Sequence, residues 1–331
     1  MGGETRPARE LRRDELWNLV GTIRHQLAQR GEILPVSWVD ETADSISRGT
    51  GASWFTGEPR SPTGLAIVWV REKKGYGHLH STGTPEGVPD LERLGRQLTK
   101  ELPADVDRLD MGSTGLSEEE ERDLGRRLGE DARFTTLLRH SMVRSLTTAQ
   151  PPPEPRWPPG LVVTTVRHVP FDQLTALDWR TYRGTPDESL LSGTPEGNRE
   201  LLENALAGLF GSYLDEASPA VRLPSGPLVG FAVACQESLR SGILLDLAVD
   251  PDYRRRGIGE ALLLRTLRAL LAMGYPKVHL WVTEGNYPAR ALYDKVGFVV
   301  DASAAIYRWS RHPAALLLPS EASGNEDRGA R

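Results

Sequence analysis

Apolar positions along this chain follow two periods, and stretches of one alternate with stretches of the other. Glu15–Arg30 has apolar residues every three to four positions, which predicts an amphipathic helix. Gly64–Arg71 is a dense apolar run and predicts a strand, with a second at Tyr76–Ser81. Leu91–Leu102 returns to helical spacing, Val106–Met111 to a strand, Ser117–Leu128 to a helix opened by a capping serine, and Phe134–Leu146 to a strand-like run. The pattern restarts at Leu161–His168, a β-branched strand, followed by helices at Phe171–Tyr182 and Arg199–Leu214. Ala220–Leu223 and Pro227–Gln236 form a hairpin pair across Pro224-Ser-Gly226. Gly242–Val249 is an apolar strand ending at Asp250-Pro251. Glu260–Met273 is a helix closed by Gly274, Val278–Val282 a strand, Asn286–Tyr293 a short helix and Ala304–Trp309 a last strand.

Between the two rounds lies Pro151-Pro-Pro-Glu-Pro-Arg-Trp-Pro-Pro-Gly160, which can be neither helix nor central strand and reads as a stiff connector. It divides the 331 residues into an N-terminal part at 1–150 and a C-terminal part at 161–312, with a polar tail at 313–331. A net charge of −5 makes neither nucleic acid nor acidic membrane a default partner. No apolar run approaches the ~18 residues of a membrane span, and the N-terminus has no apolar signal core. The single cysteine, Cys235, excludes an internal disulfide framework and reads as a buried strand thiol. A reducing cytoplasm is the simplest setting. No histidine pair has metal-ligand spacing, so no metal is expected.

The candidate chemistry sits between the strand at 242–249 and Phe298. The loop Arg254-Arg-Arg-Gly257-Ile-Gly259 opens a helix. Its glycines let backbone approach a phosphate, its amides are unpaired donors, and three arginines add charge. It reads equally well as a tight strand–helix connection. A Walker loop is excluded because no Gly-Lys-Ser/Thr follows, and a dinucleotide fingerprint fits poorly because position 262 is Leu. Downstream comes Asn286-x-x-Ala289-x-x-x-Tyr293-x-x-x-Gly297-Phe298. Arg254-x-x-Gly257-x-Gly259 after a strand, followed by that second pattern, resembles the GNAT superfamily of N-acetyltransferases. The match is tight over about 242–300 and weaker back to about 161. The N-terminal half has the same rhythm, but Thr82-Gly-Thr-Pro-Glu-Gly87 replaces the arginine–glycine loop, so it reads as a degenerate copy, with an unrelated α/β domain as its rival. The resemblance implies an α/β (α+β) fold of two GNAT-like domains, each a mixed, mostly antiparallel sheet flanked by helices.

It further implies acetyl-CoA as acyl donor. The end of a splayed strand, Leu247, Ala248 and Val249, would pair with pantetheine. Arg254, Arg255, Arg256, Gly257, Ile258, Gly259 and Glu260 would form the pyrophosphate loop. Asn286 would contact the pantetheine arm and Tyr293 would protonate the leaving thiolate. Chemistry of the residues adds a base, because an alkyl amine is mostly protonated at neutral pH. Asp246, an acid inside an apolar strand, either serves as that base or pairs with an arginine or caps a loop. Glu284 and Glu237 are weaker candidates; His168 and His279 read as structural. Asp187 and Glu188 either bind a cationic amine or are solvated. Trp38 and Trp54-Phe55 are candidates to pack between domains. The expected activity is transfer of an acetyl group to a primary amine of a small molecule or peptide, by direct attack in a ternary complex, in a monomer or homodimer. The alternatives are a longer-chain N-acyltransferase and a non-catalytic acyl-CoA-binding sensor.

Overall fold

A computed structural model of the chain describes residues 4–29, 37–49, 52–71, 74–83, 87–188 and 194–312. The elements of the N-terminal half are β1 (Arg6–Pro7), α1 (Arg13–Gln29), α2 (Ser37–Arg48), β2 (Ala52–Glu58), β3 (Ser61–Arg71), β4 (Lys74–Ser81), α3 (Gly87–Lys100), β5 (Arg108–Thr114), α4 (Glu118–Leu128) and β6 (Phe134–Ser145). Those of the C-terminal half are β7 (Val162–Thr165), α5 (Phe171–Tyr182), α6 (Pro195–Leu206), β8 (Pro219–Arg222), β9 (Leu228–Ser238), β10 (Ser241–Val249), α7 (Ile258–Ala272), β11 (Lys277–Thr283), α8 (Tyr287–Val296) and β12 (Val299–Ser310). The strand expected at Leu161–His168 breaks after Thr165 into a 3-10 turn at Val166–His168. Residue 30 and the tail 313–331 lie outside the described residues. Among the described residues no helix is long and apolar enough to cross a membrane.

The chain forms two compact units, Met1–Leu138 with Ala304–Arg331, and Arg139–Ser303. The division expected at 151–160 therefore gives way to cuts within β6 and β12. The physical reason is backbone pairing. Arg139–Ser145 of β6 pairs antiparallel with β11 over its whole length, Lys277–Thr283. Tyr307–Ser310 of β12 pairs antiparallel with Arg108–Met111 of β5. Each half thus gives its last strand to the sheet built by the other. At the second of these seams Arg308 lies opposite Asp110 and grips both its carboxylate oxygens, Nε to Oδ1 at 2.6 Å and Nη2 to Oδ2 at 3.0 Å. The proline run belongs to the second unit: Arg268 Nη1 donates to the Pro152 carbonyl (2.7 Å), Arg268 also pairs with Glu154, and Trp157 packs on the Ile258–Leu262 cluster.

The first unit has strand order β1-β2-β3-β4-β5-β12. One face carries α3, whose Leu91, Leu94 and Leu98 sit at i, i+3 and i+7 and are fully buried with Leu124 and Leu128 of α4. Each such leucine contributes roughly 1.5–3 kcal/mol of burial. Ser117 caps α4 through a reciprocal capping box with Glu120. A separate cluster joins Leu16, Val20 and Ile23 of α1 to Val39, Ala43 and Ile46 of α2 and to Phe55. Phe55 and Trp54 thus serve this unit's own cores rather than an interdomain surface; the side chain of Trp38 lies outside the described residues.

Strands β4 and β5 run parallel and stay paired for all seven positions from Lys74↔Arg108 to His80↔Thr114. The pair is stitched at its C-terminal end by His80 Nδ1 and Thr114 Oγ1, 2.6 Å apart, with the His78 ring stacked 4.3 Å from that of His80. Burial, reinforced by His78, holds the His80 imidazole well below its ordinary range. The unfolded chain binds that proton near pH 6.5 and the folded chain only at lower pH, so this contribution to stability is complete above 6.5 and is lost as pH falls. Melting curves of wild type should decline below pH 6.5 by roughly 3 °C per pH unit more than those of His80→Gln; parallel declines would refute this.

The second unit has order β6-β11-β10-β9-β8-β7, antiparallel throughout except β10–β11. Helices α7 and α8 pack with Val278, Leu280 and Val282 of β11. Helices α5 and α6 pack on Phe231, Val233 and Cys235 of β9. Cys235 is fully buried, and burial raises its thiol to about 11.

Candidate active site

Two parallel strands of the second unit part company. β10 and β11 pair only from Ser241↔Lys277 to Leu244↔Leu280. β11 then continues against β6, while β10 continues against β9 to Val249↔Gly230. Leu245–Val249 is left with an open edge on its β11 side. A register shift between Leu244 and Asp246 marks the point where the strand changes course. Leu247, Ala248 and Val249 lie along this parted edge. One detail differs: the Leu247 amide is hydrogen-bonded to the Asp246 carboxylate, so it is not a free donor.

The open edge leads into the glycine loop. Asp250 caps the turn at Pro251–Tyr253, accepting from the Asp252 amide at 3.0 Å, and pairs with Arg180 at 2.7 Å. Gly257 is the N-cap of α7 at φ +83, a left-handed conformation, and Arg255 also lies at φ +61. The first helical bond runs from the Ala261 amide to the Gly257 carbonyl (3.0 Å), so the amides of Ile258, Gly259 and Glu260 precede the ladder. A Cβ on Gly259 would touch Leu292 at 3.4 Å and Val249 at 3.6 Å, so glycine there sets how closely the loop lies against α8 and β10. The arginines divide their work. Arg254 clamps the loop by donating to the carbonyls of Thr181 (2.7 Å) and Val249 (3.3 Å). Arg256 donates to the Asp252 carbonyl (3.0 Å) and lies over Tyr253. Arg255 alone has no hydrogen bond or ion pair among the described residues and is exposed. Glu260 pairs with Lys295.

At the other end of the opening, α8 begins at Asn286. Its Oδ1 caps the helix by accepting from the Ala289 amide (3.3 Å), and its Nδ2 donates to Asp187 (2.7 Å). Both ends of the amide are engaged in structure. Asp187 is buried and also accepts from Thr283 Oγ1, and Glu188 accepts from the Gly184 amide (2.7 Å). Asp187 is therefore not a solvated loop residue, whereas Glu188 is part-exposed. Tyr293 is buried on the same helix, its ring 5.9 Å from Phe298, and its hydroxyl makes no hydrogen bond among the described residues. Burial, with the charges of Asp187 and Asp246, raises its pKa and keeps the phenol protonated.

Asp246 is part-buried and accepts from the Tyr182 hydroxyl at 2.6 Å, from Leu247 N–H and from the Asp178 carboxyl. Burial raises its pKa, and those three donors hold the rise in check. Asp178, buried on α5, is pushed well above the ordinary carboxyl range by burial and then by the Asp246 charge, so it carries the proton of the pair. Tyr182 falls in the segment Trp179–Asp187, whose aromatic and charged residues the sequence marks for the acceptor cleft; Asp178 and Arg139 were not singled out, and for Asp178 the available signal was an acid on the buried face of α5 among Leu174, Leu177 and Thr181. The other candidates have other partners. Glu237 accepts from Ser241 Oγ (2.7 Å) and stands 3.9 Å from His279, which also faces Asp301. Glu284 lies 3.9 Å from His140, and His168 bonds Thr165.

The raised Asp178 has a testable sign. A folded pKa above the unfolded one gives stability that is complete below about pH 3.9 and is lost as pH rises. Asp178→Asn keeps a donor toward Asp246 without the proton. Its melting temperature should exceed wild type by an amount that grows as pH rises above the ordinary carboxyl range; a constant or negative difference would contradict the shared proton.

Residues 173–298 match the family described as Acetyltransferase (GNAT) family. The chain is 36% identical over 118 residues to mycothiol acetyltransferase of Acidimicrobium ferrooxidans, 34% of this chain and 38% of that protein. It is 29% identical over 253 residues to mycothiol acetyltransferase of Saccharomonospora viridis, 69% of this chain and 76% of that protein. A tandem GNAT protein from the clavulanic acid biosynthesis pathway superposes with TM-score 0.52 at 12% identity, over 93% of this chain and 98% of that one. The match thus spans about two-fifths of the first relative's length. Residues 173–298 thus match the GNAT family, and the chain shares the fold of a tandem GNAT protein.

Proposed function

We propose that the protein is an acetyl-CoA-dependent N-acetyltransferase with one donor site, in the second unit, acting on a primary amine. The observation that carries this reading is the open edge of β10 running into a left-handed glycine at the start of α7. That edge offers backbone without a strand partner to the amides of a pantetheine arm, although Leu247 N–H and the Val249 carbonyl are engaged by side chains, and the amides at Ile258–Glu260, with the helix dipole and Arg255, suit a diphosphate. Among the described residues the first unit has no equivalent slot, because β4 and β5 remain paired from Lys74↔Arg108 to His80↔Thr114.

Acetyl-CoA supplies the activated acetyl group, and the chain's own residues manage protons and charge. Asp246 takes the proton that a protonated amine must lose before it attacks. Tyr182 and Asp178 orient its carboxylate. The backbone near Val249 stabilises charge on the carbonyl oxygen. Tyr293 donates to the departing sulfur. Transfer is direct, since the single cysteine is buried in β9 and hydrogen-bonded toward the Ala205 carbonyl. Calorimetry with acetyl-CoA, followed by thiol release against a panel of amines, tests the reading. Association with turnover is expected; absence of association removes the donor site, and association without turnover on any amine favours a sensor.

A further inference from the structure

One charged group in the site is left without a task by the transfer reading. Arg139, opposite Thr283 in the β6–β11 register, places its guanidinium in the field of Asp187, Tyr182 and Tyr293, with Cζ 5.8 Å from the Trp281 ring centroid. Burial lowers its pKa, yet a guanidinium remains charged at any working pH. A cation removed from water requires a compensating anion or hydrogen bonds. Arg139 makes no hydrogen bond or ion pair among the described residues, its Nε is buried without an acceptor, and the charge of Asp187 acts on it only from beyond ion-pair range. The nearby carboxylates are committed elsewhere, Asp187 to Thr283 and Asn286, and Asp246 to Tyr182, Asp178 and Leu247. Arg308 shows the usual outcome, with Asp110 held by two hydrogen bonds.

The geometry points to Arg139 as the binding residue for a carboxylate on the acceptor, so that the acceptor is an amine that also carries a carboxylate, as in an amino acid. A planar fork of N–H groups matches the two oxygens of a carboxylate. The donor's phosphates are served at the start of α7, whereas Arg139 lies at the Tyr293 end, where acetyl transfer would occur. Asp246 for the amine and Arg139 for the carboxylate both act on Tyr293, so the two ends of a small zwitterion would bracket the phenol. Trp281, 37% exposed, supplies an apolar wall beside the guanidinium.

The inference rests on the transfer reading, and its test separates the two. Full-length protein with saturating acetyl-CoA is assayed for thiol release with matched pairs: lysine and cadaverine, phenylalanine and phenethylamine, alanine and ethylamine. Wild type should favour the carboxylated member by at least about tenfold in kcat/KM, and Arg139→Met should lower that member's kcat/KM by roughly 10–100-fold, chiefly through KM. Arg139→Lys, with charge but no fork, should fall between. Acetyl-CoA calorimetry on each variant reports that the donor site is intact. Equal use of both members by wild type, or equal losses on both in Arg139→Met, overturns the carboxylate assignment and leaves transfer standing. Acetyl-CoA binding with no turnover of any carboxylated member also overturns it, whereas failure to bind acetyl-CoA at all overturns the transfer reading itself.

Discussion

Tyr293→Phe is expected to lower kcat by about 10²-fold or more while leaving the KM for acetyl-CoA within about threefold, the mark of a group whose contribution appears only as the thiolate leaves. The substitution is unusually clean. The Tyr293 hydroxyl makes no hydrogen bond among the described residues, so its removal strands no partner. The ring keeps its contact with Phe298 and its place among Val296, Leu280 and Val282. A structural loss would appear as a lowered melting temperature, which is not expected. The raised pKa keeps the phenol protonated but makes full proton release costly, so the hydroxyl acts best as a donor to sulfur as charge builds there. Steady-state kinetics over pH 6–9 decide the matter: an undiminished kcat in the phenylalanine variant would remove Tyr293 from the chemistry.

Gly257→Val should weaken acetyl-CoA binding by roughly 10–100-fold, since a β-branched residue in the left-handed region costs about 1–3 kcal/mol and the loop relieves it by moving. No atom lies within 4 Å of a Cβ built at this position, so the penalty is one of backbone conformation rather than collision. The amides of Ile258–Glu260 then lose their common direction. Gly274, beyond the far end of α7, is also left-handed at φ +87 with open space around it. Gly274→Val therefore incurs comparable strain remote from the diphosphate cradle and controls for general loss of fold. Calorimetry showing equal donor affinity for wild type and Gly257→Val would discard the cradle.

Much of the architecture was readable from residue periodicity. The leucine stripe of α3, the serine cap of α4, the apolar strands β3 and β10 and the glycine that opens α7 each carry a local signal. Helix α2 escaped because its buried stripe is only Val39, Ala43 and Ile46, set among polar residues. Partnership between strands was harder. Alternation says that Phe134–Ser145 is a strand but contains nothing about which edge it joins, and so the exchange of β6 and β12 is invisible to it. The same limit applied within the site. Three adjacent arginines looked alike as charges, yet the long side chain of Arg254 reaches across to Thr181 and spends itself on the backbone, while Arg255 stays free. Asp246 was visible as an acid among apolar neighbours, but its proton-sharing partner Asp178 sits on a helix far away in sequence.

The exchange of terminal strands has a consequence for any attempt to dissect the protein. Severing the polypeptide between residues 151 and 160 would nick a segment already anchored by Arg268 and would still leave the two pieces interlaced. A fragment begun at residue 161 would expose Lys277–Thr283 as a bare sheet margin, an invitation to aggregate. It would also arrive without Arg139. The two halves thus complete one another's sheets, and a C-terminal fragment cut free at 161 would lack the strand that closes its own.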